Sequence, residues 1–113
     1  MKHFPIFLAV AGKRIVVSGG GEAALAKLRL LLKTEARISV FAKAANADIH
    51  RLAAMGKLTL INRALDHGDV NSAALFYAAN EDAAEDARTA AIATAEGALV
   101  NIVDNLADSQ FIT

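Results

Sequence analysis

A chain of 113 residues that is 55% hydrophobic has enough material for one domain with a real core and too little for two. Its 12 basic and 12 acidic residues cancel with no block of like charge, which argues against a polyanion-binding surface and against nucleic acid as a partner. Cysteine is absent, so disulfide frameworks, thiolate metal sites and thiol nucleophiles are all removed, and a reducing, cytoplasmic setting is the expectation.

The chain begins with Lys2 and an apolar stretch, Phe4 to Val10, that has the outline of a secretory leader. It is too short for one, and Pro5 interrupts it. The reading is instead of two strands, Ile6 to Val10 and Ile15 to Val17, flanking a turn at Gly12-Lys13. No run approaches the roughly 18 consecutive apolar residues of a membrane span. After Ser18-Gly19-Gly20-Gly21 the period becomes helical: Ala24, Leu28 and Leu31 share a face, Leu25 and Leu32 lie beside it, and Lys27, Arg29 and Lys33 are left for solvent. A branched run, Ile38 to Phe41, predicts the next strand. A polar helix follows around Asn46 to Ala54, then a strand over Leu58 to Ile61.

Leu75 to Ala78 predicts a further strand. Asn80-Glu81-Asp82 offers the cap of a long alanine-rich helix that Gly97 ends, and the last strand runs from Leu99 to Val103. Ala87, Ala91 and Ala95 form a stripe expected to pack on the sheet. Strands alternating with helices imply an α/β fold of the Rossmann type, a doubly wound and mainly parallel sheet with helices on both faces. In such sheets ligands bind beyond the carboxyl ends of the strands. Attention therefore falls on Ser18 to Ala24, Ala42 to Ala44, Asn80 to Asp82 and Asp104.

Ile15 to Ala24 reads as a strand, then G-x-G-x-x-A, then a helix start, the context that makes a glycine motif informative. Gly19 would permit the tight turn, Gly21 would let a pyrophosphate approach the backbone, and Ala24 is small enough for close packing of helix on sheet. The free N–H groups at the helix start would receive the anion. The acid that usually grips the adenosine ribose about 20 residues downstream is missing. Val40-Phe41-Ala42-Lys43-Ala44 stands there instead, and Lys43 reads equally as a cation favouring a ribose 2′-phosphate or as a solvated loop lysine.

In these residues and in three further segments, the chain resembles the dehydrogenase and ferrochelatase domain of siroheme synthases and its stand-alone precorrin-2 dehydrogenase relatives. The landmarks are Pro5-Ile6-Phe7, Val16 to Ala24 with Lys27, Ala78-Ala79-Asn80-Glu81-Asp82, and Asn101-Ile102-Val103-Asp104 with Phe111. The resemblance implies a single NAD-binding Rossmann domain over residues 1–113. It implies NAD-dependent oxidation of the tetrapyrrole precorrin-2 to sirohydrochlorin, with ferrous iron as a further substrate in members that insert it. It places the acid-base residue at Asp104. Cofactor contacts fall at Gly19, Gly21, Glu22, Ala23, Lys43 and Ala44, and at Asn80, whose position suits both the nicotinamide side and a helix cap.

Leu106, Asp86 and Ala26 depart from residues common in that family. The family continues beyond the residues matching Phe111-Ile112-Thr113 into a dimerisation region and a helical domain, so the expectation is a homodimer for the complete protein and no turnover for these 113 residues alone. His3, His50 and His67 supply no i, i+4 pair, Asp66-His67-Gly68-Asp69 reads as a solvated turn before a helix, and no metal ligands are assigned. Ser18 lacks the G-x-S-x-G setting of a nucleophile. Two other functions compete: a noncatalytic NAD(P)-sensing module, which usually carries an acid after the second strand, and an S-adenosylmethionine-dependent methyltransferase, which leaves Asn101 to Asp104 unexplained.

Overall fold

A computed structural model describes residues 1–113. Five strands, β1 (Arg14–Ser18), β2 (Arg37–Phe41), β3 (Thr59–Ile61), β4 (Ala73–Ala78) and β5 (Leu99–Ile102), alternate with helices α1 (Glu22–Leu31), α2 (Ala47–Ala54) and α3 (Ala83–Ala95). All strand pairs are parallel and the sheet order is β3-β2-β1-β4-β5. The chain winds outward from β1 to β3, then crosses back to the other side of β1. The switch point of this doubly wound sheet therefore lies between β1 and β4.

Strand alternation divides the core in two. Ile15 and Val17 of β1, Leu75 and Tyr77 of β4 and Val40 of β2 face α1 and α2, where they meet Ala24, Leu25, Leu28, Leu31 and Ile49. Val16, Phe76, Ala78 and Val100 face α3 and meet Ala90, Ile92 and Ala93. Both faces of the central strands are buried, which is why those strands read as unbroken apolar runs.

Between β3 and β4 there is no helix. A loop buries Leu65 and Val70 on the α3 face, and side chains from elsewhere pin its backbone. Arg14 donates to the Asp69 carbonyl at 2.6 Å, Arg88 donates to the Leu65 carbonyl at 2.6 Å, and the Glu96 carboxylate accepts from the N–H groups of Gly68 and Val70 at 2.7 and 2.9 Å. The turn expected at Asp66 to Asp69 thus leads into β4 and not into a helix.

Three further expectations are corrected. Ile6 to Val10 is not a strand: Phe4, Ile6, Phe7 and Leu8 are exposed, and only Val10 touches the core. A branched apolar run becomes a strand only where a sheet edge accepts its backbone, and β3 and β5, the two edges, take no part of it. On α3, Ala87, Ala91 and Ala95 are exposed, and Thr89, Ala90, Ile92 and Ala93 are buried. A helix with alanine on every side is oriented by its one large apolar residue, Ile92. Lys27, expected in solvent, is half-buried, its ammonium 5.9 Å from the Tyr77 ring centre.

Candidate nucleotide and proton-transfer site

The carboxyl ends of the strands carry two clefts. The first, of about 370 Å³, lies over β1, β2 and β4 and is lined by Ser18, Gly19, Gly20, Phe41, Lys43, Ala44, Asn80, Asp82 and Glu85, among others. The second, of about 380 Å³, lies beside β5 and is lined by Lys27, Asn101, Asp104, Ser109 and Thr113, among others. Helix α1 joins them, since its preceding glycines border the first and Lys27 borders the second.

Close packing builds the glycine loop. Gly19 has φ +136°, and a β-carbon there would lie 2.0 Å from the Ala79 carbonyl oxygen. At Gly20 it would lie 2.7 Å from the Ala44 carbonyl oxygen and 2.8 Å from the Ala45 α-carbon. The loop is thereby pressed between the ends of β4 and β2. Its N–H at Gly19 donates to the Phe41 carbonyl at 2.9 Å, and the Gly20 carbonyl accepts from the Asn46 N–H at 2.8 Å. The sequence motif singled out Gly19 and Gly21, but the middle glycine is as tightly constrained as the first.

Gly21 is the N-cap of α1 and provides no side-chain cap. The first helical N–H with a backbone partner is that of Leu25, on the Gly21 carbonyl at 3.0 Å, which leaves the N–H groups of the exposed Glu22 and half-buried Ala23 open to an anion. One side chain stands close by. Glu81, held at φ +57°, places a carboxylate oxygen 2.2 Å from where a Gly21 β-carbon would be. Glu81 falls within the segment Asn80 to Asp82 that the sequence singles out, but its approach to Gly21 has no local signal, because it depends on the β4–α3 turn lying against the β1–α1 turn.

Asn80 lines the first cleft with its amide fully engaged across the switch point. The Ser18 hydroxyl donates to its oxygen at 2.9 Å, and its nitrogen donates to the Asp86 carboxylate at 2.9 Å and to the Thr89 hydroxyl at 3.4 Å. The cap of α3 is Asp82, which accepts from the Glu85 N–H at 3.0 Å. Lys43 and Ala44 are exposed at the end of β2. Glu85 is forked by Arg88 at 2.7 and 2.9 Å, and this pairing holds its carboxyl below the ordinary range, helped by the nearby charge of Lys43.

Asp104 stands at the second cleft. A turn closed by the Asn105 N–H on the Ile102 carbonyl, 3.0 Å, puts it in a left-handed conformation at φ +61°, which aspartate tolerates better than most residues. Its carboxylate is exposed and makes no hydrogen bond or ion pair. After the turn the chain doubles back along β5. Ser109 and Gln110 accept from the N–H groups of Ile102 and Val100 at 2.9 and 2.8 Å, the Gln110 N–H returns to the Val100 carbonyl at 2.8 Å, and the Asn101 amide donates to the Phe111 carbonyl at 2.9 Å. The Phe111 ring meets Tyr77 edge-on with centres 5.3 Å apart. The spacing of Asn101, Asp104 and Phe111 thus has a structural meaning, with the two outer residues clamping the turn that carries the middle one.

The sequence-named residues therefore divide. Gly19, Lys43, Ala44 and Asn80 meet at the first cleft, Gly21, Glu22 and Ala23 form the start of α1, and Asp104 belongs to the second cleft. No three His, Asp or Glu side chains converge as a metal site, and no helix is long and apolar enough to cross a membrane.

Comparison with known proteins identifies the family and the fold. Residues 6–113 match the model of a family described as putative NAD(P)-binding. Over the full chain, 39% of residues are identical to a siroheme synthase of Pseudoalteromonas atlantica, and over 112 residues 36% are identical to one of Neisseria meningitidis. The chain spans only about a quarter of the length of these curated relatives, 24% and 23%. Among solved structures, SirC, a precorrin-2 dehydrogenase, superposes with a TM-score of 0.85 over 97% of this chain and 54% of its own, at 24% identity, a likeness of fold.

Proposed function

Since the chain belongs to this putative NAD(P)-binding family, we propose that it is the dinucleotide-binding domain of an enzyme of siroheme biosynthesis, oxidising precorrin-2 to sirohydrochlorin. Support comes from the siroheme synthases it resembles along its whole length and from the two clefts that α1 connects. The residues fit a nicotinamide dinucleotide. Gly19 and Gly20 keep the loop flat against the ends of β4 and β2, the N–H groups of Glu22 and Ala23 receive the pyrophosphate, Lys43 and Ala44 border the adenosine half, and Asn80 stands on the nicotinamide side. When bound, the oxidised dinucleotide, NAD in the family resembled, supplies the hydride acceptor.

The reaction removes a hydride and a proton from the macrocycle, so a base is needed at the substrate. Asp104 is the observation that carries this reading: an unpaired carboxylate on a fixed turn at the carboxyl end of the sheet, beside a cleft reached by the same helix that binds the pyrophosphate. It takes the proton, and the Asn101–Phe111 clamp holds its turn in place. The same carboxylate suits removal of protons from pyrrole nitrogens as ferrous iron enters sirohydrochlorin, the second step we assign. An exposed aspartate needs a covered substrate face, a role we assign to regions of the kind that the curated relatives, about four times this length, carry beyond the matched quarter, and to a homodimer partner.

The test is Asp104→Asn in the complete protein, a change that keeps the size and the left-handed backbone and removes the charge. Precorrin-2 oxidation should fall by about 100-fold or more while dinucleotide affinity stays unchanged. Residues 1–113 alone, run beside it, should show no turnover. Undiminished turnover in the variant would remove Asp104 from the mechanism.

A further inference from the structure

We propose that Lys27 binds a carboxylate of the substrate in the second cleft and so fixes which part of the macrocycle lies over Asp104. The inference rests on the tetrapyrrole reading of that cleft and adds the contact that orients the substrate within it.

Lys27 and Asp104 are the only ionisable side chains that line the second cleft, and no ion pair joins them. The cleft therefore presents one positive and one negative group, held apart. That polarity suits a ligand that carries an anion at one edge and gives up a proton at another. Helix α1 brings nothing to cancel the positive end. One turn away from Lys27 stand Ala23, Ala24, Leu30 and Leu31, none of them an acid that a neighbouring lysine could pair with.

Lys2, Lys13, Lys33, Lys43 and Lys57 are exposed, and Lys27 alone is half-buried. Its ammonium lies 5.9 Å from the Tyr77 ring centre and donates to the Thr113 carbonyl at 3.0 Å and to the Thr113 hydroxyl at 3.4 Å. The Tyr77 hydroxyl meets the same Thr113 hydroxyl at 3.3 Å, and the Tyr77 ring is set by the edge of Phe111. The ammonium is thus placed by three residues of the cleft wall, yet no carboxylate side chain reaches it. A cation that has given up part of its water without gaining a carboxylate favours an anion strongly. A substrate carboxylate entering the cleft supplies one through a charge-assisted hydrogen bond. Because the side chain is already ordered, little rotamer freedom is lost when it does.

Steady-state kinetics of precorrin-2 oxidation and fluorescence titration with uroporphyrin, a macrocycle bearing eight carboxylates, test this on the complete protein. Lys27→Gln keeps an N–H donor for the Thr113 carbonyl and removes the charge, whereas Lys27→Arg keeps both. Lys27→Gln should raise KM for precorrin-2 and weaken uroporphyrin binding about tenfold, with kcat and dinucleotide affinity within about twofold of the parent. Lys27→Arg should restore both, and uroporphyrin should bind the parent less tightly at about 0.5 M salt. Unchanged uroporphyrin affinity in Lys27→Gln, parental affinity that ignores salt, or a fall in kcat or dinucleotide affinity as large as the rise in KM overturns the inference and leaves Lys27 as a support for the chain at Thr113. If the parent oxidises no precorrin-2 but binds uroporphyrin through Lys27, the carboxylate contact stands and the oxidation reading falls. If it does neither, both fall.

Discussion

Two glycines with left-handed or related backbone show how far surroundings decide the cost of a side chain. Gly12 has φ +71° and open space where a β-carbon would sit, whereas Gly19 has φ +136° and the Ala79 carbonyl carbon and oxygen at 2.5 and 2.0 Å. Gly12→Ala meets only the backbone penalty, about 1 kcal/mol. Gly19→Ala adds a clash with main chain that cannot rotate away, so the end of β4 must separate from the β1–α1 turn. Its expected cost is about 2–4 kcal/mol, read from urea denaturation of the two variants side by side. Equal losses would mean that the loop is not wedged as described. The same closeness explains the position of Glu81, since a turn packed this tightly on the glycine loop carries its side chain to the mouth of the anion site.

The segment after β5 is held as an element although it is neither helix nor strand. Ser109 and Gln110 satisfy the N–H groups that an edge strand would otherwise leave open, and Asn101, 5% exposed, fixes Phe111 through its amide nitrogen. The Asn101 oxygen has no partner. Asn101→Ala therefore removes one useful hydrogen bond together with one unsatisfied atom, and the expected loss is modest, about 1 kcal/mol. Hydrogen exchange should localise it, with faster exchange at 105–111 and unchanged protection in β1 and β2. Uniform acceleration through the sheet would show instead that Asn101 supports the whole fold.

Elements differ in how well the sequence announces them, for reasons visible here. β1, β2 and β4 are buried on both faces, so their apolar runs are unmistakable, and Asp82 and Gly97 mark the ends of α3 by local chemistry. Ile6 to Val10 has the same composition as a strand, but pairing is a property of the sheet edge and not of the run. The glycine loop, Asn80 and Asp104 were all legible as separate motifs. Their division between two clefts was not, because it follows from the crossover that returns β4 to the far side of β1. Nor was the edge cover by Ser109 and Gln110, whose polar spacing carries no periodic signal.

At the scale of the whole molecule the two faces of the sheet are closed by different means. Helices α1 and α2 cover one face with apolar side chains, whereas the face under α3 is completed by the helix-free loop between β3 and β4, pinned by Arg14, Arg88, Glu96 and the Arg63–Asp69 fork. That closure depends on ionised carboxylates. The hydrogen bonds from Arg63 hold the Asp69 carboxyl below its ordinary range, and a further bond from the Asp66 N–H, 2.7 Å, acts in the same direction. A folded-state value below the unfolded one means that the pair stabilises the fold fully above the ordinary carboxylate range, near pH 4. The contribution is lost as pH falls through the depressed value. Asp69→Asn keeps the shape and removes the titration. At pH 7 the variant should melt roughly 5 °C below the parent, and the gap should close progressively below about pH 4. A gap that stays constant down to pH 2 would assign the loss to packing of the loop and not to the charge of Asp69.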